Sequence, residues 1–213
     1  MKHFLSFLIL LTLVQSGRAQ NGWVLKKEKD GIKVYSRASD HSNFNALKVE
    51  LVLPASLHAL AALILDIGSY PRWSFNTEQS YVLKQISPAE LYFYTEINSP
   101  WPASNRDLAV HLRITQDAAS KVMTIQSDGV PSYIPPKKDI VRVPFSKERW
   151  TVTPLDKSTI KIEYEVDVDP GASAPAWLVN SFSSKGPYET FKNLRENIKG
   201  AKYRDAKISF ITD

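Results

Sequence analysis

Alternation of apolar and polar positions dominates this chain. Ile160, Ile162, Tyr164, Val166 and Val168 fall on one face of a segment whose other face carries Lys161, Glu163, Glu165 and Asp167. That period of two predicts a strand of an antiparallel sheet with one dry and one wet side. The same rhythm places Leu47, Val49, Leu51 and Leu53 together within Phe44–Leu53, and Ile32 with Val34 within Gly31–Ser36. Enrichment in β-branched and aromatic residues predicts further strands at Tyr81–Ile86, Leu91–Ile97, Asp107–Thr115, Val122–Ser127 and Trp150–Val152. Two segments break the pattern. Ser56–Ile67 has helical spacing, with Ser56 as its N-cap and Gly68 and Pro71 to close it. Pro175–Lys199 predicts a long helix with Leu178, Phe182, Phe191, Leu194 and Ile198 on or near one stripe. Gly186-Pro187 inside it predicts a kink or break, because proline removes a backbone bond and crowds the preceding turn. Ile208–Ile211 is a candidate for one more strand.

These elements predict an α+β domain: roughly eight strands in a sheet large enough to curl strongly, and one long helix to cover its dry face. A helix of about 25 residues spans ~37 Å but fills the trough only with its stripe of side chains. Where filling is incomplete, an apolar cavity remains, and such cavities bind apolar ligands.

The first residues read differently. Lys2 and His3 precede the apolar run Phe4–Val14, and Gly17 and Ala19 supply small residues at the −3 and −1 positions. This is the pattern of a secretory leader spanning 1–19 and cleaved after Ala19. The run falls well short of the about 20 residues that a membrane-spanning helix needs, so the alternative is a short anchor. Cleavage would remove two of the 27 basic residues, Lys2 and Arg18, and lower the formal charge from +5 to +3. The mature chain, 20–213, shows no repeat or linker and is expected to be a single domain, exported to the periplasm or the extracellular space. The modest charge excess does not demand a nucleic-acid partner. The absence of cysteine excludes disulfides, thiolate catalysis, iron–sulfur clusters, cysteine-ligated zinc and a lipid-modified N-terminal cysteine. Four scattered histidines do not suggest a metal site, and no cofactor motif is present. The sequence has no G-x-S-x-G, no H-E-x-x-H and no glycine-rich phosphate loop, and Ser158-x-x-Lys161 matches S-x-x-K in letters only. No residue is assigned a catalytic role.

Four motifs carry a resemblance. Ser99-Pro100-Trp101-Pro102-Ala103-Ser104-Asn105-Arg106-Asp107-Leu108 looks like the PWP–SNRD stretch of START domains, the lipid-transfer family related to steroidogenic acute regulatory protein. Tyr70-Pro71-Arg72-Trp73 resembles the turn after that family's first helix, and Arg149-Trp150-Thr151-Val152-Thr153-Pro154 one of its strands. Asp167-Val168-Asp169-Pro170-Gly171, followed by Pro175-Ala176-Trp177-Leu178-Val179-Asn180, resembles the passage into its C-terminal helix. The four stand in the family's order from about Gly31 to Lys199. The resemblance implies a helix-grip fold, a curved antiparallel sheet wrapped around a long C-terminal helix, enclosing a lipid-sized tunnel.

It also implies candidate cavity residues: Tyr94, Glu96, Leu112, Trp150, Tyr164, Trp177 and Phe182. In cholesterol-binding relatives an acid on the strand of Glu96 meets an arginine inside the tunnel. The counterpart of that arginine falls at Leu112, so the pair is broken and cholesterol specificity does not carry over. A lone buried Glu96 would hold a proton and could donate a hydrogen bond to a lipid hydroxyl; alternatively it lies in water at the sheet's mouth. Arg106 and Asp107 are expected to fix the entry of their strand rather than to act on a ligand. Tyr133-Ile134-Pro135-Pro136-Lys137-Lys138 is a loop, either a gate that touches an anionic membrane or an ordinary solvated segment. Three functions compete: a non-enzymatic, monomeric carrier of an apolar lipid (sterol-like, phospholipid or fatty-acyl) with transient membrane contact; a helix-grip enzyme such as a cyclase or thioester hydrolase; and a ligand-free interaction domain. The first accounts best for the missing catalytic signatures.

Overall fold

The computed structural model describes residues 22–171, 174, 179, 183 and 185–212. The expected leader, Trp177 and Phe182 lie outside the described residues. The chain opens with a hairpin, β1 (Val24–Lys29) and β2 (Ile32–Ala38). Lys29 pairs with Ile32, leaving Asp30 and Gly31 as a two-residue turn with φ of 52° and 72°. Positive φ at both positions is what a primed hairpin turn needs, and Asp-Gly provides it at little cost. The residues of β1 are mostly exposed and carry no alternation, so the sequence pattern predicts no strand there. β3 (Asn45–Leu53) leads into α1 (Leu57–Leu65), where Ser56 Oγ caps the helix by accepting from Ala59 N at 3.1 Å. A 3₁₀ turn at Ile67–Ser69 and the short α2 (Tyr70–Trp73) follow.

The middle of the chain forms β4 (Thr77–Ser87), β5 (Glu90–Ile97), β6 (Arg106–Gln116), β7 (Met123–Gly129), the two-residue β8 (Val141–Arg142), β9 (Phe145–Asp156) and β10 (Thr159–Asp169). Ten strands make one curved sheet in the order β1-β2-β3-β10-β9-β7-β6-β5-β4, antiparallel except for β8, which adds to β6 in parallel. This is the helix-grip architecture. The inner face is lined by the apolar positions of the strands, and α1 and α3 (Gly186–Asn197) cover it. Val34, Val49, Ile125, Val152 and Ile162 of the sheet, Leu60 and Leu63 of α1, and Phe191 and Leu194 of α3 belong to one continuous core.

The expected break falls at Gly186-Pro187: Ser183 is helical, Lys185 is a turn residue, and Pro187 sits in the first turn of α3, where its missing N–H costs nothing. One expectation changes. The tail after α4 (Ala201–Arg204) is a turn, not a strand. Its backbone bonds to side chains instead: Ile208 N donates to His58 Nδ1 at 3.0 Å, and Thr212 N donates to Gln116 Oε1 at 2.8 Å. Ile211 nevertheless enters the core, which explains the apolar letters that had suggested a strand.

Candidate functional site

The core does not close completely. A cavity of about 280 Å³ lies between the inner face of the sheet and the C-terminal helix, near the lower end of the roughly 300–1,000 Å³ usual for ligand sites. Strand alternation decides what faces it. Phe93, Thr95 and Ile97 come from β5, and Arg106, Leu108 and Val110 from β6. Ser146, Glu148 and Trp150 come from β9, and Tyr164, Val166 and Val168 from β10. Tyr70 and Trp73 of α2 and Phe191 of α3 complete much of the wall. Trp150, Tyr164 and Phe191 pack at ring-centroid distances of 4.8, 5.1 and 5.2 Å, while Tyr70 meets Trp73 and Phe93 edge-on. These rings give a rigid apolar wall at low cost in side-chain entropy.

Besides hydroxyls such as those of Thr95, Ser127 and Ser146, the wall carries Glu148, Tyr164 and Arg106. Glu148 is half-buried and lines the cavity. Burial pushes its carboxyl up to about 7, against the hydrogen bond from Tyr164, which lowers it. Burial likewise raises the Tyr164 hydroxyl well above its ordinary value, with the Glu148 charge adding to it. Arg106 is only 5% exposed; its Nη1 donates to Ser104 O at 2.6 Å, and its Nε has no hydrogen-bond partner among the described residues. Sequence reasoning missed Glu148, although the alternation from Ser146 to Trp150 shows that it shares Trp150's face.

The expected cavity residues divide. Trp150 and Tyr164 line it. Leu112 shares its strand face but lies beyond the cavity, 1% exposed in the solid core. Tyr94 and Glu96 belong to the opposite face of β5, since Phe93, Thr95 and Ile97 take the inward positions. Glu96 is neither a protonated cavity group nor a solvated one. It is 6% exposed and accepts from Gln79 Nε2 at 2.8 Å, Asn105 Nδ2 at 2.8 Å and Tyr94 Oη at 3.0 Å. Burial opposes its charge, but these donors and Lys137 outweigh that and hold the carboxyl below its ordinary value. The sequence signal was present: Leu91, Phe93, Thr95 and Ile97 are the more apolar of the two faces.

Asp107 lies on the same outer face, fully buried and opposite Glu96. Arg142 of β8 answers it with a fork, Nε to Oδ1 at 2.7 Å and Nη2 to Oδ2 at 3.1 Å. The same guanidinium donates to the carbonyls of Pro131, Ile134 and Pro135. It thus fastens the loop 130–138 to the outer face, where Tyr133 stacks on Tyr92 at 4.3 Å and Lys137 sits 3.7 Å over the ring of Tyr94. The loop covers the sheet's back and does not close the cavity. Asp107 is therefore a structural anchor, whereas its neighbour Arg106 points inward. Between them and β5, the connecting loop presents Trp101, 92% exposed and followed by a cis bond to Pro102.

Among the described residues no cluster of three or more His, Cys, Asp or Glu is placed to hold a metal, and no helix is long and apolar enough to cross a membrane. The sequence matches the START domain family over residues 11–202. It is 32% identical to an uncharacterized protein of Pseudomonas aeruginosa over 174 residues, 81% of this chain and 85% of that one. It is 29% identical to the phosphatidylcholine transfer protein of Bos taurus over 178 residues, 81% of this chain and 82% of that one. The solved STAR-related lipid transfer protein of Xanthomonas axonopodis superposes with a TM-score of 0.76 at 32% identity, covering 84% of this chain and 99% of that chain. Human StAR-related lipid transfer protein 5 shares the fold, with a TM-score of 0.75 at 20% identity over 85% and 88% of the two chains.

Proposed function

We propose, from the premise that this chain belongs to the START domain family, that it is a non-enzymatic carrier that takes an apolar lipid into the cavity between its sheet and its C-terminal helix. The observation that carries this reading is the cavity itself, walled by Trp150, Tyr164, Phe191, Phe93 and Leu108 beside a continuous apolar core. An unfilled apolar space forfeits the contacts its walls would make, and an apolar guest restores them. No bond need form or break. The names of relatives support the same reading: phosphatidylcholine transfer in one, lipid transfer in others.

Filling the space tests it. Val166 faces the cavity from β10, between Leu47 and Glu148 in the register. Val166→Trp should occupy much of the cavity and lower uptake of a fluorescent lipid at least about tenfold, a loss of about 1.4 kcal/mol in binding, while far-ultraviolet circular dichroism stays unchanged. Uptake equal to that of the unmodified protein in a folded variant would count against the cavity as the binding site.

Delivery requires contact with a membrane, and Trp101 is the group we assign to it. An indole 92% exposed on a loop next to the Arg106 end of the cavity has the amphipathic character favoured at bilayer interfaces. Trp101→Ala should weaken sedimentation with vesicles several-fold and slow lipid transfer between them, with no change in thermal stability beyond about 0.5 kcal/mol. Full vesicle binding by the variant would remove Trp101 from this role. The leader-like segment fits export, and a mature protein beginning at Gln20 on N-terminal sequencing is the expected result; a chain still beginning at Met1 would contradict it.

A further inference from the structure

Among the described residues, four buried side-chain atoms lack a hydrogen-bond partner: Thr77 Oγ1, Ser99 Oγ, Arg106 Nε and Arg195 Nε. Three of them gather at one end of the sheet. Thr77 pairs with Ile97 in the register, and Ile97 with Arg106, so Thr77, Ile97 and Arg106 share one cross-strand row. Ser99 stands two residues beyond Ile97, its backbone N–H tied to Asn105 Oδ1 at 3.1 Å. Ile97 and Arg106 line the cavity.

Arg106 carries a full positive charge at any physiological pH. The two nearest carboxylates in sequence and register are already committed on the other face, Asp107 to Arg142 and Glu96 to Gln79, Asn105 and Tyr94. Among the described residues Arg106 has no carboxylate partner, and a buried unpaired cation is costly. The orphaned atoms have a common chemistry: one guanidinium N–H and two hydroxyls, all able to donate. The unused N–H of a guanidinium that lines the cavity, with two unused hydroxyls at the same end of the sheet, matches a group rich in acceptor oxygens, such as a carboxylate or a phosphate.

We infer that this end of the cavity receives the anionic oxygen group of an amphiphile whose apolar part fills the remainder. The inference deepens the carrier reading and rests on it. Glu148 adds direction. Ser127 pairs with both Leu112 and Glu148, so Glu148 lies at the level of Leu112, six residues and roughly 20 Å along the strand from Arg106. A negative group is disfavoured beside Glu148 and favoured beside Arg106, so the ligand enters with one orientation.

Matched probes test this without knowledge of the natural ligand. Oleate is compared with oleyl alcohol, and dioleoyl phosphatidate with dioleoylglycerol, each by displacement of a fluorescent lipid. The anionic member of at least one pair should bind about tenfold tighter. The pair that shows the preference tells a free carboxylate from a lipid phosphate. Arg106→Met should bring that anionic member down to the level of its neutral partner, and raising the salt concentration should not abolish the preference of the unmodified protein, because a buried pair is poorly screened. Equal binding within both pairs, or a preference that survives Arg106→Met, would overturn the inference and leave the carrier reading standing. Binding of neither member of either pair would overturn the carrier reading itself. Should Arg106→Met fail to fold, the preference of the unmodified protein decides, supported by a several-fold reduction in the Thr77→Val, Ser99→Ala double variant.

Discussion

Replacing Asp107 with alanine should destabilise the fold by about 3–5 kcal/mol, the range for removing one partner of a buried ion pair. Asp107 is fully buried, and the Arg142 side chain facing it is 11% exposed, so neither charge can recover its hydration when the other is lost. The energy is not the worth of the pair but the cost of leaving Arg142 buried and unanswered. Against a total of roughly 5–15 kcal/mol for a domain, that is a large share. The effect should spread along a defined path, since Arg142 also holds the carbonyls of Pro131, Ile134 and Pro135, and with them Tyr133 and Lys137 on the outer face. Urea denaturation gives the stability, and limited proteolysis of the loop 130–138 gives the path. Because Asp107 faces away from the cavity, lipid affinity per folded molecule should not change. A loss of stability below about 1 kcal/mol, or a selective loss of lipid affinity, would contradict the assignment of Asp107 as an anchor.

Glu148 should make stability fall as pH rises. Burial holds its carboxyl at about 7 in the folded chain against an ordinary value of 4.5. Between these values the folded protein keeps a proton that the unfolded chain has lost, so each step upward in pH costs folding free energy. Below about pH 4.5 the group is neutral in both states and costs nothing; above about pH 7 the full penalty applies, at most about 3 kcal/mol. Glu148→Gln keeps the shape and cannot ionise. Relative to this variant, the unmodified protein should lose stability progressively from pH 4.5 to 8, measured as thermal midpoints across that range. Parallel curves for the two proteins would show that Glu148 titrates normally. Occupancy sharpens the effect, since an apolar guest excludes water from around the carboxylate. Uptake of an uncharged lipid should therefore be several-fold tighter at pH 6 than at pH 8, and this difference should vanish in Glu148→Gln.

Much of this architecture is written in local pattern. The period-two segments that became β3, β6 and β10 each bury one face against the same core, so one physical demand fixes both strand and side. Ser56 and the apolar stretch behind it define α1 for a similar reason. The failures have physical causes as well. β1 buries almost nothing, so its sequence carries no alternation, and only Asp30-Gly31 marks it, as a turn. The tail 208–212 takes its order from His58 and Gln116, residues far away in the chain, which no local pattern reveals. In β5 both faces are buried, one by the cavity wall and the other by the loop 130–138, so a polar letter such as Glu96 does not by itself announce its side. The resemblance to cholesterol binders points to Glu96 and not to Glu148, although each shares a strand face that the sequence already displays. The Arg106-Asp107 motif shows the limit most clearly. Adjacent residues in one strand point to opposite faces, so a single motif contributes an anchor on the outside and an unpaired cation within.

Organic extraction and mass spectrometry of the protein purified from its native compartment bear most directly on the lipid-filled cavity. The expected result is an amphiphile bound near one per chain, absent from a parallel preparation of Val166→Trp. Extracts free of lipid, together with no uptake across a panel of neutral and anionic lipids, would contradict the account.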